Sequence, residues 1–297
     1  MNGDARRTQL RAQIDQHLDV LPVLPKAIAS MLTLDCRAED YFDRVLELIE
    51  SEPSFAARVL GAANSVLGAS TEEITTLRNA ITRVGSSNAR GIVLGMGLAH
   101  AFQPVDPWEK SIWRHAIQVA IAARELASLC EEAEVQPEEA YACGLLHDVG
   151  RLILFKVAPS DFCTTEEGHW DEPRGLITHE LQACGLTHAE LGATACRIWG
   201  VPRVIELVVR FHHSPGFEGM LGRSSKLIAM IHVADLAMFP SALPGRTKIG
   251  EIDDVTLIGE VADELPAFLD MDLMTLRQLL QGALSEADVL FGALGLR

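Results

Sequence analysis

Basic residues are scarce in this chain. It carries 25 Lys and Arg against 41 Asp and Glu, a formal net charge of −16 over 297 residues. A surface that acidic repels phosphate backbones and anionic membranes unless a local basic patch overrides it, so no nucleic-acid or membrane partner is expected. Paired cysteines are missing too. The six cysteines (Cys36, Cys130, Cys143, Cys163, Cys184, Cys196) form no CxxC pair, which excludes a zinc knuckle and a thioredoxin-like motif. Several fall on apolar helical faces, where a thiol acts as a small hydrophobe, so free thiols and a cytoplasmic location are expected. Long apolar runs are absent, and no transmembrane helix is expected. The polar opening MNGDARRTQLRAQ does not resemble a signal peptide. Strand-like alternation is scarce as well.

What remains is helical periodicity, in a chain whose 48% hydrophobic content supplies a core for one large domain or two ordinary ones. The spacing predicts helices over 4–20, 26–34, 39–50, 53–64, 77–84 and 86–102, with Ser51 capping the fourth and Ser86 or Ser87 the last. Gln103-Pro104-Val105-Asp106-Pro107 is the best internal boundary. Beyond it a long helix over 108–132 has the stripe Ile112, His115, Val119, Ala122, Leu126, Leu129. A helix opened by Pro137-Glu138-Glu139 runs through the motif GLLHDVG at 144–150. Residues 159–177 read as loop. Thr187-His188-Ala189-Glu190 forms a capping box for a helix that Gly200 closes. Further helices cover 202–213 and 226–238. The class is all-α, with an N-terminal lobe over 1–105, a second lobe over 106–240 and a C-terminal helical extension over 241–297. In that extension Leu273, Leu276, Leu279, Leu280, Leu284 and Val289 should pack on the body or carry a partner contact.

Several polar residues sit in apolar helical surroundings: His115, His147, Asp148, His188, His212, His213 and Asp235. Buried histidines and aspartates are costly unless paired, hydrogen-bonded or bound to metal. Imidazole nitrogens and carboxylate oxygens together suit divalent Fe, Mn, Ni or Zn. An aspartate beside a histidine can bridge two ions while the imidazole takes one, and two ions so held can activate water and stabilise a phosphoryl group. Structural alternatives stand beside this. His115 could be a core histidine, His188 a surface residue after the cap, and His212-His213 a favourable helix C-terminus. His232, three residues before Asp235, could support it from behind. His169 and His179 are expected in solvent. The run Gly85 to Gly91 lacks Gly-Lys-Ser/Thr and a preceding strand, so it is no phosphate loop.

These residues resemble the HD superfamily of metal-dependent phosphohydrolases, whose histidine, HD pair and distant aspartate are matched by His115, His147, Asp148 and Asp235. Thr187-His188-Ala189-Glu190-Leu191-Gly192 and His212-His213 are similar to added motifs of the HD-GYP branch. The Gly-Tyr-Pro stretch of cyclic di-GMP phosphodiesterases is missing. Arg151 also stands where those enzymes have lysine; it can hold a phosphate but cannot donate a proton at neutral pH. The stretches LPVLPKAIASML, LELIESEPSFAARVLGAANS and ITTLRNAITRVGSSNARGIVLG resemble the opening lobe of the HDOD family. That resemblance, over 21–238, implies a bacterial signal-transduction protein acting through protein partners. It allows a mono- or dinuclear divalent metal (Fe, Mn, Ni or Zn) on His115, His147, Asp148, His188, His212, His213 and Asp235. The alternative it implies is a metal-dependent phosphohydrolase acting on a nucleotide or cyclic dinucleotide, with Arg151 as the phosphate contact.

Overall fold

The computed structural model describes residues 3–18, 21, 24–65, 74–130, 134–166, 173–214, 222–239, 261, 265–269 and 271–294. Among the described residues there is no strand, as the helical periodicity requires. No helix among them is long and apolar enough to cross a membrane. The chain divides into two compact units, one of Met1–Pro22 with Pro104–Ala287 and the other of Val23–Gln103 with Asp288–Arg297. The internal boundary thus falls in the Pro104 to Pro107 segment, but the two ends of the chain are exchanged: the first residues join the unit expected over 106–240, and the last ten join the N-terminal one.

In the unit built on Val23–Gln103, α2 (Lys26–Leu32), α3 (Tyr41–Glu50), α4 (Pro53–Ser65), α5 (Leu77–Val84) and α6 (Ser86–Phe102) follow the predicted order. Two caps differ from expectation. Ser51 ends α3 and its hydroxyl donates back to the Leu48 carbonyl at 2.7 Å, so it does not cap α4. Gly85, with φ of 86°, closes α5 and opens α6, and neither Ser86 nor Ser87 is the cap. That φ is open to glycine at no steric cost. Ile28, Met31, Val45, Ile49, Val59, Ile81 and Leu94 form the apolar centre of this unit.

The other unit contains α1 (Gly3–Leu18) and α7 (Pro107–Leu129), the latter opened by an Asp106–Glu109 capping box. Helix α7 is buried almost all round from Ile112 to Ala123, which makes it the central rod. The stripe expected on it holds through Leu126, but Leu129 in the last turn is 58% exposed. Next come α8 (Pro137–Leu146) and α9 (Val149–Val157). The predicted single helix through GLLHDVG is therefore two, with the His147-Asp148 pair at the break. Residues 159–177, expected as loop, instead include α10 (Pro159–Glu166) and the start of α11 (Pro173–Cys184). In each case proline takes the first helical position, where its missing N–H costs nothing. His179 accordingly lies on α11 and is half-buried rather than solvated, while His169 lies outside the described residues. The capping box of Thr187 and Glu190 opens α12 (His188–Ile198) as predicted, and Gly200 (φ 66°) follows its end. Helices α13 (Arg203–Phe211), α14 (Arg223–Met238) and α15 (Leu273–Ala293) complete the order. On α15 the buried stripe is Leu276, Leu280, Ala283, Ala287 and Phe291, whereas Leu273 and Val289 are exposed.

Glycines let α9 and α12 touch. A Cβ on Gly150 would collide with the backbone carbonyl of His188, and one on Gly192 would lie 3.1 Å from the Gly150 nitrogen. Gly144 likewise faces the α7 backbone, with Ala120 Cα 2.6 Å from where its Cβ would stand. These contacts hold the HD pair against α7 on one side and α12 on the other.

Gly150→Ala should destabilise the protein by about 1–3 kcal/mol through overpacking, read as a lowered melting temperature. Gly61→Ala on α4, which meets nothing within 4 Å, should be neutral or stabilise by up to about 1 kcal/mol. Equal losses at the two positions would contradict the close-packing argument. The described cysteines Cys36, Cys130, Cys143, Cys184 and Cys196 form no disulfide with one another. Burial and the Glu206 carboxylate push the Cys196 thiol up to about 12, so alkylation at pH 8 should label it only after unfolding.

Candidate metal centre

Five segments deliver the polar side chains, most of them from helix ends. His147 terminates α8 and Asp148 precedes α9 with φ −101° and ψ 13°, between helical regions. Asp148 makes no cap bond with its side chain, which leaves the carboxylate to the cluster. The Thr187 cap sets His188 at the first position of α12. His212 terminates α13, with His213 next, and the two mid-helix members are His115 on α7 and Asp235 on α14. His115, His147, His188 and His212 are completely buried, and Asp148, Asp235 and His213 nearly so.

All seven residues converge. His115 Nε2 lies 3.0 Å from Asp235 Oδ1, and His147 Nε2 lies 3.5 Å from Asp148 Oδ2 and 3.7 Å from Asp235 Oδ1. On the other side of Asp148, His188 Nε2 is 3.1 Å and His212 Nε2 is 3.8 Å from Oδ1. His188 Nε2 also stands 3.0 Å from His213 Nε2 and 3.4 Å from His212 Nε2. The donors form two sets, Asp148 with His188, His212 and His213, and His115 with His147 and Asp235.

Their spacing fits a divalent ion. Metal–nitrogen bonds of about 2.0–2.1 Å put neighbouring donors roughly 3.0–3.4 Å apart, which is the separation of the nitrogens around His188. Buried atoms also go without hydrogen-bond partners: His147 Nε2, His213 Nδ1 and Asp235 Oδ2 have none. Such orphans are costly in a core and mark the cluster as short of cationic or donor partners.

The imidazoles are oriented from behind. The Nδ1–H of His147 donates to the Gly144 carbonyl at 2.7 Å, and that of His212 donates to the Val209 carbonyl at 2.9 Å. These bonds select the tautomer that aims an Nε2 lone pair at the cluster. His188 is backed by a carboxylate that the sequence reading missed. Glu180 on α11, completely buried, accepts from both the Nδ1–H and the backbone N–H of His188 at 2.9 Å. Glu180 follows a stretch read as loop and precedes the exposed Leu181, so no periodic signal marked it. His232, expected behind Asp235, instead donates from Nδ1 to the His212 carbonyl at 2.8 Å and holds the end of α13.

Electrostatics follow from this enclosure. Burial works against charge on His188, but Glu180 and Asp148 outweigh it and raise its pKa to about 10. Burial also opposes ionisation of Asp148, yet His147, Arg151 and His188 hold it well below the usual carboxylate range. Burial, with His147 and His188 nearby, pushes His212 down to about 3, and His213 is depressed by burial and His212. Neutral imidazole is the form that ligates metal, which His212 and His213 already hold, whereas a cation on His188 would have to displace its proton. Arg151, 1% exposed, donates from Nη1 to Asp148 Oδ2 at 2.7 Å.

The HDOD domain profile matches residues 21–215. Solved structures of similar fold include a proposed phosphohydrolase from Shewanella amazonensis SB2B, with a TM-score of 0.69, 26% identity and coverage of 95% of this chain and 98% of that one. An HDOD domain protein of unknown function from Geobacter sulfurreducens gives a TM-score of 0.71 at 22% identity, over 98% of both chains. A proposed signal transduction protein from Marinobacter aquaeolei VT8 gives 0.70 at 22% identity, covering 100% of this chain and 66% of that one. An uncharacterised protein of Treponema pallidum (strain Nichols) is 23% identical over 209 residues, 70% of this chain but 40% of that relative's length.

Replacing Glu180 by Gln should weaken divalent metal binding by about 10- to 100-fold while leaving the helical circular dichroism unchanged. Competition against a chelating dye measures it, and an affinity equal to wild type would remove Glu180 from the site.

Proposed function

Because the chain belongs to the HDOD domain family, we propose that it is a bacterial signalling module that acts by contacting protein partners, its His/Asp cluster holding a divalent metal ion within the fold. The relatives carry both signalling and phosphohydrolase descriptions, so the choice rests on the site. The observation that carries the regulatory reading is Arg151. It is the cation that would meet a substrate phosphate, and it is buried against Asp148 Oδ2. A catalytic centre needs a coordination position that substrate can reach, and the donors here are enclosed. An ion on Asp148, His188, His212 and His213 would tie α12, α13 and the α8–α9 junction together and offset the charge of Asp148. Its loading would then stabilise the surface that a partner reads.

The second reading, a metal-dependent phosphohydrolase, is favoured by one feature. Asp148 belongs by distance to both donor groups, one oxygen turned to each. Two ions sharing a carboxylate supply Lewis acidity and an activated water for phosphoryl chemistry. His188, Asp148 and Asp235 would hold such ions, and the nucleotide or cyclic dinucleotide class follows from the resemblance alone.

Elemental analysis of purified protein should find a divalent first-row metal in wild type and none in Asp148→Ala. Incubation with bis(p-nitrophenyl) phosphate, nucleotides and cyclic dinucleotides plus Mn²⁺ or Fe²⁺ should give no hydrolysis beyond that of Asp148→Ala. Turnover lost specifically in that variant would establish the phosphohydrolase instead.

A further inference from the structure

The two oxygens of Asp148 meet different neighbours. Oδ1 faces His188 at 3.1 Å and His212 at 3.8 Å, whereas Oδ2, on the side of His115 and His147, accepts a 2.7 Å bond from the Arg151 guanidinium. Arg151 lies three residues along the chain on the first turn of α9 and is buried. It stays protonated under all ordinary conditions, so it cannot yield its positive charge to an arriving cation. Its departure would leave a buried carboxylate short of a partner, a costly change.

The two donor sets also differ in how well they are prepared. In the first, His188 and His212 are each held from behind through Nδ1, by Glu180 and by the Val209 carbonyl. In the second, His147 is held by Gly144 and His115 Nε2 is engaged with Asp235 Oδ1, while His115 Nδ1, like His213 Nδ1 in the first set, has no partner. The first set offers three imidazoles and a carboxylate, a complete four-coordinate shell for a zinc-type ion. The second offers two imidazoles and one carboxylate, and the oxygen that would complete it is bound to Arg151.

We infer that the buried Arg151 guanidinium takes the place of a second metal ion, so that the chain holds one divalent ion tightly on Asp148, His188, His212 and His213 and keeps the His115, His147, Asp235 set weak. This inference rests on the metal-holding reading above and deepens it. A centre with one cation supplied by the protein itself cannot place two ions on Asp148. It therefore suits a structural or regulatory ion better than two-metal hydrolysis. Arg151 is a positioning residue in this account, and metal stoichiometry is a readout that a role in packing alone would not move.

The test is a Co²⁺ titration of chelator-stripped full-length protein, followed by absorbance, with Zn²⁺ content after gel filtration measured in parallel. Wild type should retain one equivalent, lost in His213→Ala and kept in His115→Ala. Arg151→Gln should gain a second equivalent, its affinity rising by about 10- to 100-fold, while Arg151→Lys stays at one. Two equivalents of like affinity in wild type would overturn the inference, as would a single ion lost in His115→Ala but kept in His213→Ala. An Arg151→Gln protein that folds and gains nothing would do the same. If that variant does not fold, the wild-type, His115→Ala and His213→Ala titrations decide. Protein that retains no ion in any form would overturn the metal reading itself, an outcome distinct from the others.

Discussion

The carboxylate of Asp148 is buried among helices with its charge intact, and much of the surrounding arrangement answers that one constraint. A lone ionised carboxylate in a core is prohibitively costly, so it must be met by cations or by donors from several directions. His147 and Arg151 meet it from its own stretch of chain, and His188 and His212 meet it from α12 and α13. Asp235 places a second buried carboxylate beside the same histidines, which doubles the requirement. The imidazoles are thereby drawn together at distances that are awkward for bare nitrogens and natural around a cation.

Backbone geometry makes this convergence available. Helix ends present side chains and unpaired backbone groups at one point, and the cluster draws on the end of α8, the starts of α9 and α12, and the end of α13. The ends can meet because Gly144, Gly150 and Gly192 remove the Cβ atoms that would separate the helices. The support behind the donors is just as specific. Glu180 fixes His188, Val209 fixes His212, and His232 fixes the carbonyl that follows α13. Orientation of this kind decides whether a histidine is a ligand or a polar plug.

The helical class and most helix positions were legible in the sequence because amphipathic spacing and capping chemistry are local. The Thr187–Glu190 box and Gly85 announced their helix ends through chemistry contained within a few residues. Misreadings arose where a local signal had competing outcomes. Ser51 could cap forward or bond backward, and it bonds backward to Leu48. The prolines at 159 and 173 could have meant loop, but each begins a helix. GLLHDVG has apolar flanks suited to one continuous helix, and the break at His147-Asp148 is set by contacts that no local pattern encodes.

The sequence by itself determined an all-helical chain with an acidic surface and placed the histidines and aspartates in apolar helical settings. Those properties follow from side-chain periodicity and charge, which act over one or two turns. Only the tertiary structure decided which of those residues meet, that Asp148 turns its two oxygens to different neighbours, and that Glu180 stands behind His188. It also decided that Arg151, legible as a phosphate contact, is buried against the aspartate. The physical reason is range. A buried charge is satisfied by groups close in space and distant in sequence, and their proximity exists only once the helices have packed.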